Sequence, residues 1–277
     1  MTTLTYLQFH LVFLGGPLLA LAVATARGVA LRVPGTPAVT ATPRVRVGGR
    51  SVDARPLGVL IMAVLAFVYT TPWDSYLIRQ GAWSYGEGTT VARLFAVPLG
   101  EYLFFVIQPV LTALWLYLLP AGPAGGATEA RADGGAAFAT GRARRVTPGE
   151  RALGAAGGGL VAFGGWLALG LDGGLYLGTL LLWAAPVLVV QWAFGWPYLW
   201  ARRRVVALAV AVPTLYLWVA DRIALALGVW ELSPDLTTGA VVPLLGLPVE
   251  EAAFFLLTNL FVVQGLVLWL WVADRWL

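Results

Sequence analysis

Long apolar stretches alternate with short polar segments rich in Arg, Gly and Pro along most of the chain. Each stretch is close to the roughly 20 residues that a helix needs to cross the hydrocarbon core of a bilayer. The pattern therefore predicts an all-α polytopic membrane protein with seven transmembrane helices. We expect these helices at about 4–24, 57–73, 96–119, 153–171, 175–196, 204–221 and 244–272.

Composition and charge placement agree with a membrane protein. Of the 277 residues, 59% are hydrophobic and 12% are charged, which is typical of a chain integral to a membrane. Fifteen of the eighteen Arg residues share one side of a seven-helix arrangement. Because Arg accumulates in cytoplasmic loops, we predict a cell-membrane protein with its N-terminus outside and its C-terminus in the cytoplasm. These loops are expected to contact anionic lipid headgroups. This contact accounts for the basic pI, which is near 9.7, so we predict no nucleic-acid partner.

Two segments carry the same motif at the start of a predicted helix. The first reads Pro98-Leu99-Gly100-Glu101-Tyr102-Leu103-Phe104-Phe105 and the second reads Pro248-Val249-Glu250-Glu251-Ala252-Ala253-Phe254-Phe255. Upstream lie an Asp and a Gly-x-Trp sequence, which are Asp74 with Gly81-Ala82-Trp83 and Asp221 with Gly228-Val229-Trp230. Each copy of the motif belongs to a group of three predicted helices, the first three and the last three of the seven. The two groups have the same orientation in the membrane only because the fourth helix separates them, which predicts a parallel 3+1+3 internal repeat.

The repeat divides the chain into four parts. Residues 1–119 form the first three-helix repeat, 120–150 a flexible cytoplasmic linker, 151–171 the linking helix and 172–277 the second three-helix repeat. The linker is rich in Gly, Ala, Pro and Arg, a composition typical of disorder. The segment from about 28 to 55 has a similar character and is interpreted as a second linker.

Missing residue types exclude several kinds of chemistry. The chain has no Cys, no Lys and a single His, at position 10. Without Lys it cannot hold retinal as a Schiff base, and without Cys or a His cluster it lacks the usual ligands of zinc, haem and di-iron sites. Because no strand-turn-helix GxGxxG sequence is present either, we predict no metal site and no cofactor.

The duplicated motif places carboxylic acids beside aromatic rings. A single Pro-x-x-Glu is equally explained as a helix start, but the repeated pairing with Phe-Phe, Asp and Gly-x-Trp points to a site. Glu251 shares a helix face with Phe255, and Glu101 shares one with Phe105 and Gln108. Burial favours the protonated form of a carboxylic acid, and desolvated aromatic rings stabilise cations. This combination suits a carbocation made by protonating an alkene.

The candidate residues fall into three groups. The candidate catalytic acids are Glu101, Glu250 and Glu251; the supporting acids are Asp74 and Asp221; the candidate cation-stabilising or substrate-lining residues are Phe104, Phe105, Phe254, Phe255, Trp83 and Trp230. Alternative readings stay open for several of them. The two Asp residues are equally explained as solvated helix ends, the two Trp residues as aromatic-belt anchors, and His10 as a hydrogen-bonded interior residue.

These residues resemble the integral-membrane lycopene beta-cyclase family. Besides the duplicated motif, the segments Tyr6 to Pro17, Thr71-Pro72-Trp73-Asp74, and Tyr176 through Pro186 to Trp192 are similar to that family. In some members the two halves are separate polypeptides. The second copy matches the family motif at both acids, whereas the first has Gly100 in place of the first acid, so only Glu101 carries over there.

The resemblance implies cyclisation of the linear psi ends of lycopene, or of other linear carotenoids, to beta rings, giving gamma-carotene and then beta-carotene. An acid protonates C2, the C5=C6 bond attacks the C1 cation, and a base removes the C6 proton without net redox change. A dry aromatic cavity is required, because water would quench the cation. We expect Glu251 or Glu250 to be the acid and Glu101 the base or a second acid, although these roles are interchangeable.

Two other classes of protein share some of these features. A small-solute transporter has a similar repeat plan and uses buried acids as proton relays. A membrane prenyltransferase would need paired Asp-rich sequences for magnesium and diphosphate, and neither Asp74 nor Asp221 has a second acid within four residues downstream. The sequence leaves open whether one cavity or two act, whether the product is monocyclic or bicyclic, and the oligomeric state.

Overall fold

The computed structural model describes residues 4–31, 44–119 and 145–276, and within these ranges the chain is mostly helical. Seven long helices are present in the described ranges, and each corresponds to one predicted helix. They are α1 (Tyr6–Ala26), α2 (Ala54–Gln80), α3 (Leu99–Tyr117), α4 (Pro148–Ala168), α5 (Leu175–Ala201), α6 (Arg203–Ala226) and α7 (Val249–Trp276). The prediction of a polytopic helical membrane protein is confirmed.

Six of these helices are long and apolar enough to cross a membrane, and α4 is the exception. Its apolar residues are largely Gly and Ala, and its first turn contains Glu150 and Arg151. The glycines serve close packing against α5 instead. A Cβ at Gly154 would lie 2.4 Å from the Trp192 carbonyl oxygen, so only glycine allows the two backbones to approach this closely.

The prediction missed eight short strands, which form four two-stranded antiparallel sheets within the described ranges. The strands are β1 (Arg44–Val47), β2 (Arg50–Asp53), β3 (Trp83–Tyr85), β4 (Arg93–Leu94), β5 (Val97–Pro98), β6 (Trp230–Leu232), β7 (Val241–Val242) and β8 (Leu247–Pro248). The β1–β2 hairpin occupies part of the segment interpreted as an additional linker. Residues 32–43, and most of the predicted cytoplasmic linker (120–144), lie outside the described residues.

Two helices extend further than predicted, which changes the setting of both Asp residues. The prediction ended them at about Trp73 and Asp221, whereas α2 continues to Gln80 and α6 to Ala226. Gly81 follows α2 at φ 80° and Gly228 follows α6 at φ 66°, in the left-handed region that glycine adopts without strain. The Gly of each Gly-x-Trp therefore ends a helix, and each Asp lies inside one.

A buried polar network joins α3, α6 and α7 at the centre of the bundle. Gln108 Nε2 and Thr112 Oγ1 donate to Asn259 Oδ1 over 2.7 and 2.6 Å. Asn259 Nδ2 in turn donates to Thr214 Oγ1 over 3.1 Å. Because α3 and α7 also carry the two copies of the acid motif, this network fixes the distance between them.

Candidate active site

The motifs from both halves converge on one cavity of about 60 Å³, which we call the acid cavity. It lies among α1, α2, α3, α5, α6 and α7, and no arginine of the described ranges lines it. Four carboxylic acids contribute to its wall, namely Asp74, Glu101, Asp221 and Glu251. Asp74 and Glu101 of the first half thus lie beside Asp221 and Glu251 of the second.

The local sequence explains how the two Glu residues reach the cavity. Each follows a short hairpin, β4–β5 or β7–β8, that ends in a Pro and leads directly into a helix. Glu101 lies in the first turn of α3 and Glu251 in the first turn of α7. Glu251 is buried and Glu101 is partly buried.

Tyrosine hydroxyls hold both glutamates. Tyr85 Oη donates to Glu101 Oε1 over 2.8 Å, and the Trp83 indole donates to Tyr85 Oη over 2.9 Å. In the other half, Tyr176 Oη donates to Glu251 Oε1 over 3.0 Å. Tyr85 lies on β3, and burial raises the pKa of the Tyr85 hydroxyl well above its usual range. The hydroxyl therefore keeps its proton and remains a donor.

The two aspartates are buried rather than solvated. Asp74 is 3% exposed and Asp221 is 2% exposed. Within the described part of the chain, Oδ2 of Asp74 has no hydrogen-bond partner, and the carboxylate of Asp221 has the Trp230 indole nearby but no hydrogen bond of standard geometry. Buried polar groups are normally paired, so unpaired oxygens lining a cavity mark positions where a proton or a bound molecule completes the site.

Aromatic rings form the rest of the acid cavity. Phe104 and Phe255 meet edge to face with their centroids 5.9 Å apart, and Phe254 stacks on Trp73 at 5.9 Å. Trp83 and Trp230 also line the cavity. They belong to β3 and β6, which pair antiparallel and bring Tyr85 opposite Trp230. Both Trp residues thus lie in the part of the cavity wall formed by the β3–β6 sheet, which we call the roof. The sequence had left open the alternative that they are aromatic-belt anchors.

Two predicted site residues do not line the acid cavity. Glu250 is fully buried, and its Oε1 accepts hydrogen bonds from the backbone N–H and the hydroxyl of Thr238, over 2.8 and 2.7 Å. Phe105 instead contributes to a second cavity of about 210 Å³. Successive residues of a helix point about 100° apart, so only one acid of the Glu-Glu pair faces the site.

The second cavity adjoins the acid cavity and is mostly apolar, with Thr70, Gln108, Gln191 and Thr258 as its polar lining residues. Phe104 and Phe254 line both cavities, so their rings form the partition between them. Tyr69 of α2 and Trp183 of α5 both line the second cavity. Tyr69 Oη donates to the Trp183 carbonyl over 2.8 Å, and the two rings stack at 5.5 Å. Tyr69 is 38% exposed, so the second cavity lies next to the lipid-facing surface.

His10 also lines the acid cavity and is buried. Its Nδ1 lies 2.8 Å from the Tyr6 carbonyl oxygen. This contact agrees with the interior hydrogen-bonded residue that the sequence favoured, but the same side chain also lines a site containing four acids.

The sequence did not identify the tyrosines as site residues. Tyr6 and Tyr176 line the acid cavity, and Tyr85 reaches it through Glu101. A signal was present, because Tyr-Leu occurs at Tyr6 and again at Tyr176, near the start of corresponding helices. Tyr85 carried no comparable signal, since its hydrogen bond depends on the β3–β6 pairing.

Comparison with known proteins gives strong full-length similarity. The chain is 46% identical over 274 residues to the lycopene beta-cyclase of Halobacterium salinarum, covering 99% of each protein. It is 38% identical over 226 residues to a bifunctional lycopene cyclase/phytoene synthase of the fungus Arthroderma gypseum, covering 75% of this chain and 35% of the fungal protein. The corresponding protein of Pyrenophora tritici-repentis is 37% identical over 232 residues, covering 83% of this chain and 38% of that protein. No family model and no solved structure matches the chain.

Proposed function

The chain belongs to the lycopene beta-cyclase family, and from this premise we propose that the acid cavity is where the psi ends of lycopene are closed to beta rings. The enzyme is an intramolecular lyase of carotenoid biosynthesis with no net redox change. The observation that carries the assignment of the site is the convergence of Glu101 and Glu251, from two halves of the chain, on one cavity free of arginine in the described ranges.

The reaction needs a proton donor in a dry site. A neutral carboxyl group of Glu101 or Glu251 transfers its proton to C2 of the terminal double bond, and the C5=C6 electron pair then closes the bond to C1. Loss of the C6 proton forms the beta ring. Four carboxyl groups close together, with no arginine in the described lining, cannot all ionise at acceptable free-energy cost. This arrangement keeps a proton available for transfer.

The aromatic wall stabilises the cation formed in this step. Phe104, Phe254 and Phe255 line the cavity beside the acids, with Trp83 and Trp230 above them. Each desolvated ring contributes about 0.5 to 2 kcal/mol to binding a cation. The same rings exclude water, which would otherwise trap the cation as an alcohol.

One cavity serves both ends of the substrate in turn. Glu101 and Glu251 both line it, so the chain does not need a separate site for each ring. The monocyclic carotenoid leaves the cavity, and its second psi end enters. The rest of the polyene occupies the second cavity, whose apolar wall shares Phe104 and Phe254 with the acid cavity.

The remaining candidate residues have supporting roles: they position the glutamates, limit their ionisation or line the path of the polyene. Glu250 holds the segment before β7 through Thr238, which fixes the entry of α7 and thereby Glu251. Asp74 and Asp221 lie close enough to the glutamates for their charges to interact, so they limit how many acids ionise together. Phe105 lines the passage for the polyene.

The arrangement in the membrane follows the same reasoning. The succession of a helix, a short strand, a hairpin and a helix occurs from α2 to α3 and again from α6 to α7, which supports a parallel 3+1+3 repeat. In this arrangement α4, which falls short of the apolar character of the other six helices, crosses the membrane packed closely against α5 as the linking span. With the Arg-rich loops against anionic lipid in the cytoplasm, the N-terminus is outside and the acid cavity lies near the outer face. Nothing in the described cavity or among the relatives favours a transporter.

The test is pigment chromatography of lycopene-accumulating cells that express the wild type, Glu101→Gln, Glu251→Gln or Glu250→Gln at matched levels. We expect cyclic product from the wild type and Glu250→Gln, since the amide oxygen that this substitution introduces still accepts from Thr238. Each of the other variants should lose about 10²- to 10⁴-fold in rate. Retained bicyclic product in either single Glu101 or Glu251 variant would contradict the single shared cavity.

A further inference from the structure

One buried nitrogen in the acid cavity has no hydrogen-bond partner among the residues that the structure describes. It is Nε2 of His10, whose side chain is 4% exposed and lines the cavity with Glu101 and Glu251. Buried polar atoms are rarely left unpaired without a role. His10 is also the last residue before the π-helical turn Leu11–Gly15, a local irregularity that is frequent at functional sites.

The other ring nitrogen determines which form of the imidazole is present. Nδ1 lies 2.8 Å from the carbonyl oxygen of Tyr6. A carbonyl only accepts hydrogen bonds, so Nδ1 carries the hydrogen and donates it. In the neutral ring Nε2 then has no hydrogen and offers a lone pair to the cavity.

A neutral base has an advantage in this cavity. A carboxylate waiting to accept a proton would be an unpaired buried charge, which is unfavourable where no cation is near. The described lining contains no Arg. A neutral imidazole beside neutral carboxyl groups instead gives a resting site that contains both an acid and a base but has no net charge.

We propose that His10 is a further catalytic residue, whose Nε2 removes the C6 proton in the last step of ring closure; this rests on the function proposed above. The electron pair of the C6–H bond becomes the C5=C6 double bond, and the imidazole becomes an imidazolium. The imidazolium returns that proton to the carboxylate that protonated C2. The cavity is neutral again, and no electron is gained or lost.

The position of the ring double bond reports on this step separately from the overall rate. If no base reaches C6, the C5 cation loses a proton from C4 to give an epsilon ring, or from the C5 methyl group to give a gamma ring. His10→Gln removes the basic nitrogen, because an amide is not a base at neutral pH. Leu11→Met changes the next residue of the same helix, which is 74% exposed and is not among the residues that line the cavity, so it is the matched control for a general disturbance of α1.

The experiment is to separate the products of wild type, His10→Gln and Leu11→Met in lycopene-accumulating cells and to determine the ring type by chromatography and NMR. We expect beta rings from wild type and Leu11→Met, and a share of epsilon or gamma rings, formed about 10²-fold more slowly, from His10→Gln. Beta rings alone from His10→Gln, or the same mixture from Leu11→Met, would overturn the proposal. Absence of any cyclic product from wild type would instead refute the proposed function.

If His10→Gln yields no product at all, carotenoid binding distinguishes a lost reaction step from a misshapen cavity. A purified His10→Gln protein that retains bound lycopene, detected by its absorption spectrum, has lost a step of the reaction. Loss of bound pigment would show that His10 serves to hold the cavity in shape and would overturn its role as the base.

Discussion

Gly100 lies directly against the ring of Tyr6. A Cβ at position 100 would stand 2.3 Å from Cδ1 and 2.8 Å from Cε1 of that ring. Tyr6 lines the acid cavity beside Glu101, so the absence of a side chain at position 100 is what allows the tyrosine to approach. The departure of the first motif from Glu-Glu therefore has a steric reason, because the ring of Tyr6 occupies the space that a side chain at position 100 would need.

This contact predicts that Gly100→Ala lowers activity, although helix propensity alone favours Ala over Gly. The new methyl group displaces Tyr6 and disturbs Glu101, whereas Gly to Ala inside a helix otherwise stabilises by up to about 1 kcal/mol. The measurement is initial rate with lycopene in membranes, together with the thermal unfolding midpoint. Gly159→Ala in α4 is the matched control, because a Cβ there meets no atom within 4 Å; it should keep full activity.

The tyrosine donors predict a graded loss of rate. Tyr85→Phe removes the hydrogen bond to Glu101, and Tyr176→Phe removes the one to Glu251. Each change should lower the rate by about 10-fold, corresponding to about 1.4 kcal/mol, because a carboxylate left after proton transfer loses one stabilising donor. Measurement of kcat and KM separates this from weaker binding. An unchanged kcat in both variants would show that the hydroxyls do not act on the acids.

The buried amide of Asn259 predicts that its loss lowers the stability of the protein, because Asn259 joins three helices and takes no part in the reaction. Asn259→Ala leaves Gln108, Thr112 and Thr214 without a shared partner, which should cost about 1 to 2 kcal/mol in a membrane bundle. The readout is the unfolding midpoint in detergent. Thr179→Ala removes a hydroxyl bonded only within its own helix, to Leu175 and Tyr176, and should shift the midpoint much less.

The second cavity predicts that its volume controls substrate binding. Ala66→Trp fills the second cavity, whose lining contains no acid. In a Glu251→Gln background, in which turnover is at least about 10²-fold slower, Ala66→Trp should abolish copurification of lycopene. Val68→Trp adds the same ring to the lipid-facing side of the same helix, at a residue that is 64% exposed, and should leave the bound pigment in place. Equal retention by both would show that the polyene lies elsewhere.

Much of this architecture can be predicted from local sequence. Apolar length predicted every long helix of the described ranges, because a bilayer dictates how many residues must be hydrophobic. The duplicated motif identified Glu101, Glu251, Asp74 and Asp221, all of which line one cavity. These residues were found because the same local pattern occurs twice, and no knowledge of tertiary contacts was needed.

Other parts depend on contacts between segments distant in sequence. The donor to Glu101 is Tyr85, which β3 positions by pairing with β6 of the other half. Glu250 and Glu251 are equivalent in sequence, and only the direction of α7 decides which one faces the cavity. The extension of α2 past Asp74 was missed because Tyr76 and Arg79 interrupt the apolar run, although the helix continues to Gln80.

The β3–β6 ladder joins the two halves of the molecule over the acid cavity. Three-residue strands do not persist alone in water, so neither half can assemble this roof by itself. Each half also supplies only one of the two glutamates. A chain severed between α3 and α4 would consequently give two inert fragments whose reassociation restores both the roof and the acid pair, which makes activity a direct reporter of fragment complementation.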